Sequence, residues 1–224
     1  MPALLQPKAP FTADAIVVGD PGRALLLAQE LLEQPKMCNH ARGLWGYSGR
    51  TPGGLELTVQ STGVGAPSAA AVLDDLAQLG VRRAVRIGTA RATGERPLGE
   101  LLVVSEAIAA AGSAAVFGVE AGEAVAAEPA LRRALERALP TTAPGRVVSL
   151  DAMPAGPFVP PPGVAAIDMQ TLGLLARAKA LDIACAALLI VFAGPNGAVL
   201  PVEQLEAAAR RAGRAAAESL SPSS

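Results

Sequence analysis

Ala15 to Val18 is a short apolar run of β type, ended by the turn residues Gly19-Asp20-Pro21-Gly22. Apolar side chains at 24, 27, 28, 31 and 32 then follow helical spacing, which predicts a helix over Arg23 to Leu32. Gly43 to Gly49 and Leu55 to Ser61 read as two strands joined by a turn at Thr51-Pro52-Gly53-Gly54. A second glycine loop, Thr62-Gly63-Val64-Gly65-Ala66-Pro67, feeds a helix over Ser68 to Leu79, with Asp74 and Asp75 on its outer face and Gly80 as its stop. Val81 to Gly88 is a strand running into a third small-residue loop, Gly88-Thr89-Ala90.

The alternation continues to the end. Leu101 to Ile108, Arg146 to Leu150, Val164 to Asp168 and the very apolar Cys185 to Phe192 are predicted strands. Pro129 to Leu139, Thr171 to Ala180 and Val202 to Leu220 are predicted helices. Interleaved strand and helix signals point to α/β layering around a largely buried sheet. No internal repeat or dividing linker is evident, and the proline-rich stretch Pro154 to Gly163 reads as a loop within the domain. The expected boundaries are an N-terminal segment at 1–14, one domain at 15–220 and a frayed tail at 221–224.

Composition narrows the class. The chain has 224 residues, 51% hydrophobic and 17% charged, which excludes a disordered chain. A net charge of −1 argues against a nucleic-acid partner. No apolar run of about 18 residues lacks a charge or a Pro/Gly break, so no membrane span is expected. Met1 to Phe11, with Pro2, Pro7 and Pro10, does not read as a signal peptide, and a cytoplasmic location is expected. Cys38 and Cys185 cannot build a disulfide framework, and no Cys/His cluster has metal-ligand spacing. Four Phe, one Tyr and one Trp leave few rings with which to stack a planar ligand.

Three strand ends therefore deliver glycine-rich loops, with Arg23 after the first and Arg86 just before the third. Open α/β sheets bind ligands at the carboxyl ends of their strands. Outward backbone N–H groups at a helix N-terminus, guanidinium forks and the Thr89 hydroxyl would together suit an oxyanion. From spacing alone, the plainer readings weigh more: a solvated helix residue for Arg23 and a surface strand residue for Arg86.

The ordered strings alter that balance. Gly19-Asp20-Pro21-Gly22-Arg23-Ala24, Arg42-Gly43-Leu44-Trp45-Gly46-Tyr47-Ser48-Gly49, Ser61-Thr62-Gly63-Val64-Gly65-Ala66-Pro67-Ser68 and Val85-Arg86-Ile87-Gly88-Thr89 closely resemble the nucleoside phosphorylase family of bacterial hexameric purine nucleoside phosphorylases and uridine phosphorylases. The likeness is dense from about Ala15 to Leu102. It continues more loosely through Ser149-Leu150-Asp151 and Ile167-Asp168-Met169-Gln170. It implies a single-domain, three-layer α/β/α fold with a mixed, mostly buried central sheet. It also implies a phosphate site of Gly19, Arg23, Arg86 and Thr89, with Arg42 reaching the neighbouring subunit's site in a homo-oligomer. Arg86 and Thr89 are the candidate catalytic residues. The implied reaction is phosphorolysis: phosphate attacks C1′ of a nucleoside, the N-glycosidic bond breaks through an oxocarbenium-like state, and free base and pentose 1-phosphate result. Inorganic phosphate is then a co-substrate, and no cofactor or metal is expected.

The nucleoside half departs from the family pattern. Its candidate residues are Val64, Ala90, Arg91, Met153, Asp168, Met169 and Gln170. Gly194, after Ala193, occupies the position of the usual base-contacting acid and cannot donate a proton. Gln170 stands where the resemblance implies a Glu gripping the ribose hydroxyls. The aromatic that usually stacks the base aligns with Met153. Arg91 replaces a small residue beside the base, where it either fills the pocket, re-specifies it for a more acidic ligand, or turns to solvent or to Asp168. The single histidine, His40, reads as an interface or surface residue. Two functions follow: an active phosphorylase with altered base preference, or a catalytically silent homologue that binds phosphate or a sugar phosphate as a partner or regulatory subunit. A hydrolytic nucleosidase is disfavoured, because it has no need of the arginines.

Overall fold

The computed structural model describes residues 2–110, 112–154 and 158–221. Ten strands are present among them: β1 Asp14–Val18, β2 Glu33–Asn39, β3 Gly46–Arg50, β4 Glu56–Ser61, β5 Arg83–Ala92, β6 Leu101–Ala109, β7 Ala124–Ala126, β8 Gly145–Ser149, β9 Val164–Asp168 and β10 Ala184–Ala193. Five α-helices accompany them: α1 Pro21–Leu31, α2 Ala66–Gln78, α3 Pro129–Ala138, α4 Thr171–Ala180 and α5 Val202–Leu220. Among the described residues, no helix is long and apolar enough to cross a membrane.

The strands form one mixed sheet in the order β10-β6-β8-β9-β5-β1-β4-β3-β2, with β7 on the side of β6. β10 also pairs in parallel with β5, so β5, β9, β8, β6 and β10 close into a ring while β1 to β4 extend from it. Helix α2 packs on α4, and α5 packs on α1 and α3. α1 buries the stripe its spacing predicts, turning Ala24, Leu27, Ala28 and Leu31 inward. β10 is buried over nearly its whole length, because it has sheet partners on both edges and helices across its face.

Four details differ from the sequence expectations. β2 was not anticipated: its first five residues are exposed, with only Pro35 and Met37 not polar, and one partner strand, β3, holds it. Gly88, Thr89 and Ala90 are not a loop but the interior of β5, where Thr89 pairs with Ile190. Trp45 precedes its strand and is exposed, although Tyr47 is buried. Asp75 faces inward, 1% exposed, and accepts the backbone N–H groups of Ala3, Leu4 and Leu5 at 2.6 to 2.8 Å. The N-terminal chain is thereby pinned to α2. Asp74 does sit on the outer side, paired with Arg177. Of the proline-rich loop, residues 155–157 lie outside the described residues, as do 222–224 of the expected tail.

Candidate functional site

Register builds the site. Val18, at the end of β1, pairs with Ser61 of β4 on one side and with Ile87 of β5 on the other. The loops that follow β1 and β4 therefore emerge level with Gly88 and Thr89 of β5, which runs on past them. Thr62 locks the first two loops together, its backbone N–H and its hydroxyl both donating to the Val18 carbonyl at 2.7 and 3.0 Å. Gly19 fits closely at this junction: a Cβ there would lie 3.3 Å from the Gly63 carbonyl oxygen, so a larger residue would press the second loop outward by a few tenths of an ångström.

The first loop opens directly into α1. Asp20 caps that helix, accepting the Arg23 backbone N–H at 2.7 Å, and Pro21 supplies the first turn. The free N–H groups and positive end of α1 thus border the cleft formed by the ends of β1 and β4 and the middle of β5.

That cleft measures about 370 Å³. Gly19, Arg23, Arg86 and Thr89 line it, as do Val64, Met153, Met169 and Gln170. The phosphate-type residues and four of the nucleoside-type residues expected from the sequence thus share one cavity. The remaining candidates lie off it. Ala90 is 3% exposed and packs in the main core. Arg91 pairs through its backbone with Ile167 and Ala193 in the ring, is half-buried, and forms no ion pair among the described residues. Arg42 is exposed at a left-handed position, φ 58°, just before β3. His40 is exposed beside it. Gly194 is buried in a turn closed by its N–H to the Ala198 carbonyl at 2.9 Å, against residues 95–98 rather than against the cleft.

Asp168 is fully buried and serves as an anchor instead of a lining residue. Its Oδ2 accepts from Arg86 Nη2 at 3.0 Å, from Thr171 Oγ1 at 2.6 Å and from the Thr171 N–H at 2.9 Å. Its Oδ1 accepts from Ser149 Oγ at 2.5 Å. Arg86 donates further to Thr171 Oγ1 at 3.1 Å and to Gln170 Oε1 at 2.6 Å. It is buried, not the surface residue that spacing alone favours. Gly88 makes this possible, because a Cβ there would stand 2.5 Å from Arg86 Nη2. Neither Gly88 nor Ser149 was singled out as a site residue in the sequence. The small residue at 88 within an apolar strand was the available signal.

The two guanidinium groups differ electrostatically. Arg86 has Asp168 as its counter-ion. Arg23 forms no ion pair among the described residues. Burial pulls its pKa below the ordinary arginine value, Asp20 opposes that, and the like charge of Arg86 adds to it. Among the lining residues the sole carboxylate is Asp20, already engaged as a helix cap. The cleft thus presents two guanidinium groups, a hydroxyl and a helix N-terminus, with the two nearby carboxylates already engaged, Asp20 as a helix cap and Asp168 behind Arg86. Such a set can receive and orient a tetrahedral oxyanion. Val64, Met153 and Met169 supply an apolar part of the lining that can only pack against a ligand.

Comparison with known proteins identifies the family and the fold. The family model described as "Phosphorylase superfamily" matches residues 14–221. A DeoD-type purine nucleoside phosphorylase of Oceanobacillus iheyensis is 43% identical over 79 residues, 34% of this chain and 33% of that protein. One from Lactococcus lactis subsp. cremoris is 37% identical over 99 residues, 43% of this chain and 42% of that protein. These alignments span about a third to two fifths of the curated relatives' length. The solved purine nucleoside phosphorylase of Toxoplasma gondii, in complex with immucillin-H, superposes with a TM-score of 0.79 over 92% of this chain and 91% of that one, at 23% identity. That likeness concerns the fold alone. With the family model covering nearly the whole chain, the protein belongs to the phosphorylase superfamily, in its nucleoside phosphorylase family.

Proposed function

We propose that the protein is a phosphate-dependent nucleoside phosphorylase. An oxygen of inorganic phosphate attacks C1′, the C1′–N bond breaks, and its electron pair leaves with the purine or pyrimidine base, giving pentose 1-phosphate. The base leaves as its anion or takes a proton from water, since Gly194 offers none. Gly19, Arg23, Arg86 and Thr89 hold the phosphate; Val64, Met153 and Met169 flank the nucleoside.

One observation carries this reading: Arg23, half-buried, lines the same cleft as Arg86 and Thr89 and forms no ion pair among the described residues. A phosphate placed there gains charge-assisted hydrogen bonds from the guanidinium and a local counter-charge for Arg23. The chemistry remains feasible without a protein acid. General acid catalysis typically contributes about 10²–10⁴-fold, whereas positioning and electrostatic stabilisation contribute much of the rest. Phosphate is the co-substrate and no cofactor takes part. Arg42, exposed on its hook before β3, fits the role of completing a neighbouring subunit's site in a homo-oligomer.

A second reading has its own observation. The acid position is a tight turn away from the cleft, and the lining retains no free carboxylate. On this reading the chain binds phosphate or a sugar phosphate without turnover, as a partner subunit. A panel of purine and pyrimidine nucleosides, incubated with and without phosphate, separates the two. Base released only with phosphate supports the enzyme; silence together with a phosphate-raised melting temperature supports the binding role.

A further inference from the structure

Gln170 makes contacts that a sugar ligand has no need to make. It is 4% exposed and stands immediately before α4. Its Nε2 donates to the Gly63 carbonyl at 2.6 Å and to the Gly65 carbonyl at 3.2 Å. Its Oε1 accepts from Arg86 Nη1 at 2.6 Å. Both amide hydrogens are therefore committed to one loop and one oxygen lone pair to the guanidinium. The loop needs such a tie. Gly63 and Gly65 sit at φ +74° and +83°, and Val64 between them is 79% exposed, so few side-chain contacts hold it.

An amide is the side chain of this length that can donate to two carbonyls while accepting from an arginine. A carboxylate in the same place would present an unprotonated oxygen to both carbonyls. It would also give Arg86 a second anionic neighbour beside Asp168, lowering the charge available to a bound anion. We propose that Gln170 is a positioning residue for the phosphate half of the site, fastening the 63–65 loop to Arg86, and not a sugar ligand. The proposal rests on the phosphorylase reading for the identity of the anion, though the fastening itself does not.

The test compares the wild type with Gln170→Glu and Gln170→Met, the second removing both donor and acceptor at similar length. Phosphate and a pentose 1-phosphate are titrated into each by calorimetry, and hydrogen exchange is followed over residues 62–66. The expected result is a phosphate affinity about tenfold or more weaker in both variants, with loop exchange about tenfold faster. The preference for pentose 1-phosphate over phosphate should stay within about threefold of the wild-type ratio. Unchanged phosphate affinity and loop exchange, with that preference lost, would make Gln170 a sugar ligand and overturn the proposal. A wild type that binds no phosphate would overturn the phosphorylase reading instead. Loop exchange would then still decide the fastening, since unaltered rates in either folded variant contradict it.

Discussion

Arg86 and Asp168 form an ion pair of 3.0 Å whose side chains are 5% and 0% exposed. The pair is sustained by further hydrogen bonds from Ser149 and Thr171, so few of its polar atoms are left unsatisfied. It ties β5 to the junction of β9 and α4 and fixes the guanidinium beneath the cleft.

Removing one partner leaves a buried charge uncompensated. Asp168→Ala should therefore destabilise the fold by about 3–5 kcal/mol. Urea unfolding of the two proteins checks this.

Half of this arrangement was legible in the sequence. The loop Gly19-Asp20-Pro21-Gly22 announces itself because proline and glycine end a β run just before helical spacing begins. Position 86 followed from family resemblance, but its burial did not, since an arginine in a strand carries no local mark of the carboxylate that neutralises it 82 residues later. Thr89 and Ala90 were misplaced for a related reason. Small residues resemble a turn, and only pairing with β10 from a hundred residues away keeps them extended. β2 escaped notice because an exposed edge strand has no inward face to pattern. Asp75 is polar on a helix and reads as outward, while the backbone groups that satisfy it come from the first residues of the chain.

Arg23 is partly desolvated and unpaired, so it contributes to ligand binding more than to folding. Arg23→Ala should leave stability within about 1 kcal/mol of the wild type. It should weaken phosphate binding about 10–100-fold, the worth of one or two charge-assisted hydrogen bonds. The phosphate-induced rise in melting temperature reads both quantities in one series.

Gly88 offers a subtler perturbation. A methyl group there would stand 2.5 Å from Arg86 Nη2 and 2.8 Å from the Leu189 side chain. Gly88→Ala should displace the guanidinium and weaken phosphate binding about tenfold or more, with a stability cost of about 1–3 kcal/mol. Calorimetric titration with phosphate, beside a denaturation curve, checks both.

Restoring an acid at 194 tests whether its absence alone limits the chemistry. Gly194 belongs to a turn against residues 95–98, away from the cleft. Gly194→Asp should thus raise nucleoside cleavage by less than about tenfold, short of the 10²–10⁴ of a well-placed general acid. Steady-state kinetics with the most reactive nucleoside would show it.

The two buried thiols set an alkaline limit. Burial pushes Cys185 up to about 12 and Cys38 up to about 11. Both folded values lie above the ordinary thiol value of 9.0, so the unfolded chain loses these protons first. Their contribution to stability is fully present below pH 9.0 and falls as pH rises toward 11 and 12. For Cys38 the loss is on the order of 2–3 kcal/mol. Urea midpoints measured from pH 8 to 10.5 should decline, and Cys38→Ala should flatten part of the slope.

The central claim is that inorganic phosphate, held by Arg23 and Arg86, becomes part of the product. Phosphorus NMR of the protein incubated with phosphate and a nucleoside panel tests it most directly. The account predicts a new pentose 1-phosphate signal growing in step with free base. Free base without that signal, or base release that ignores phosphate, would contradict it.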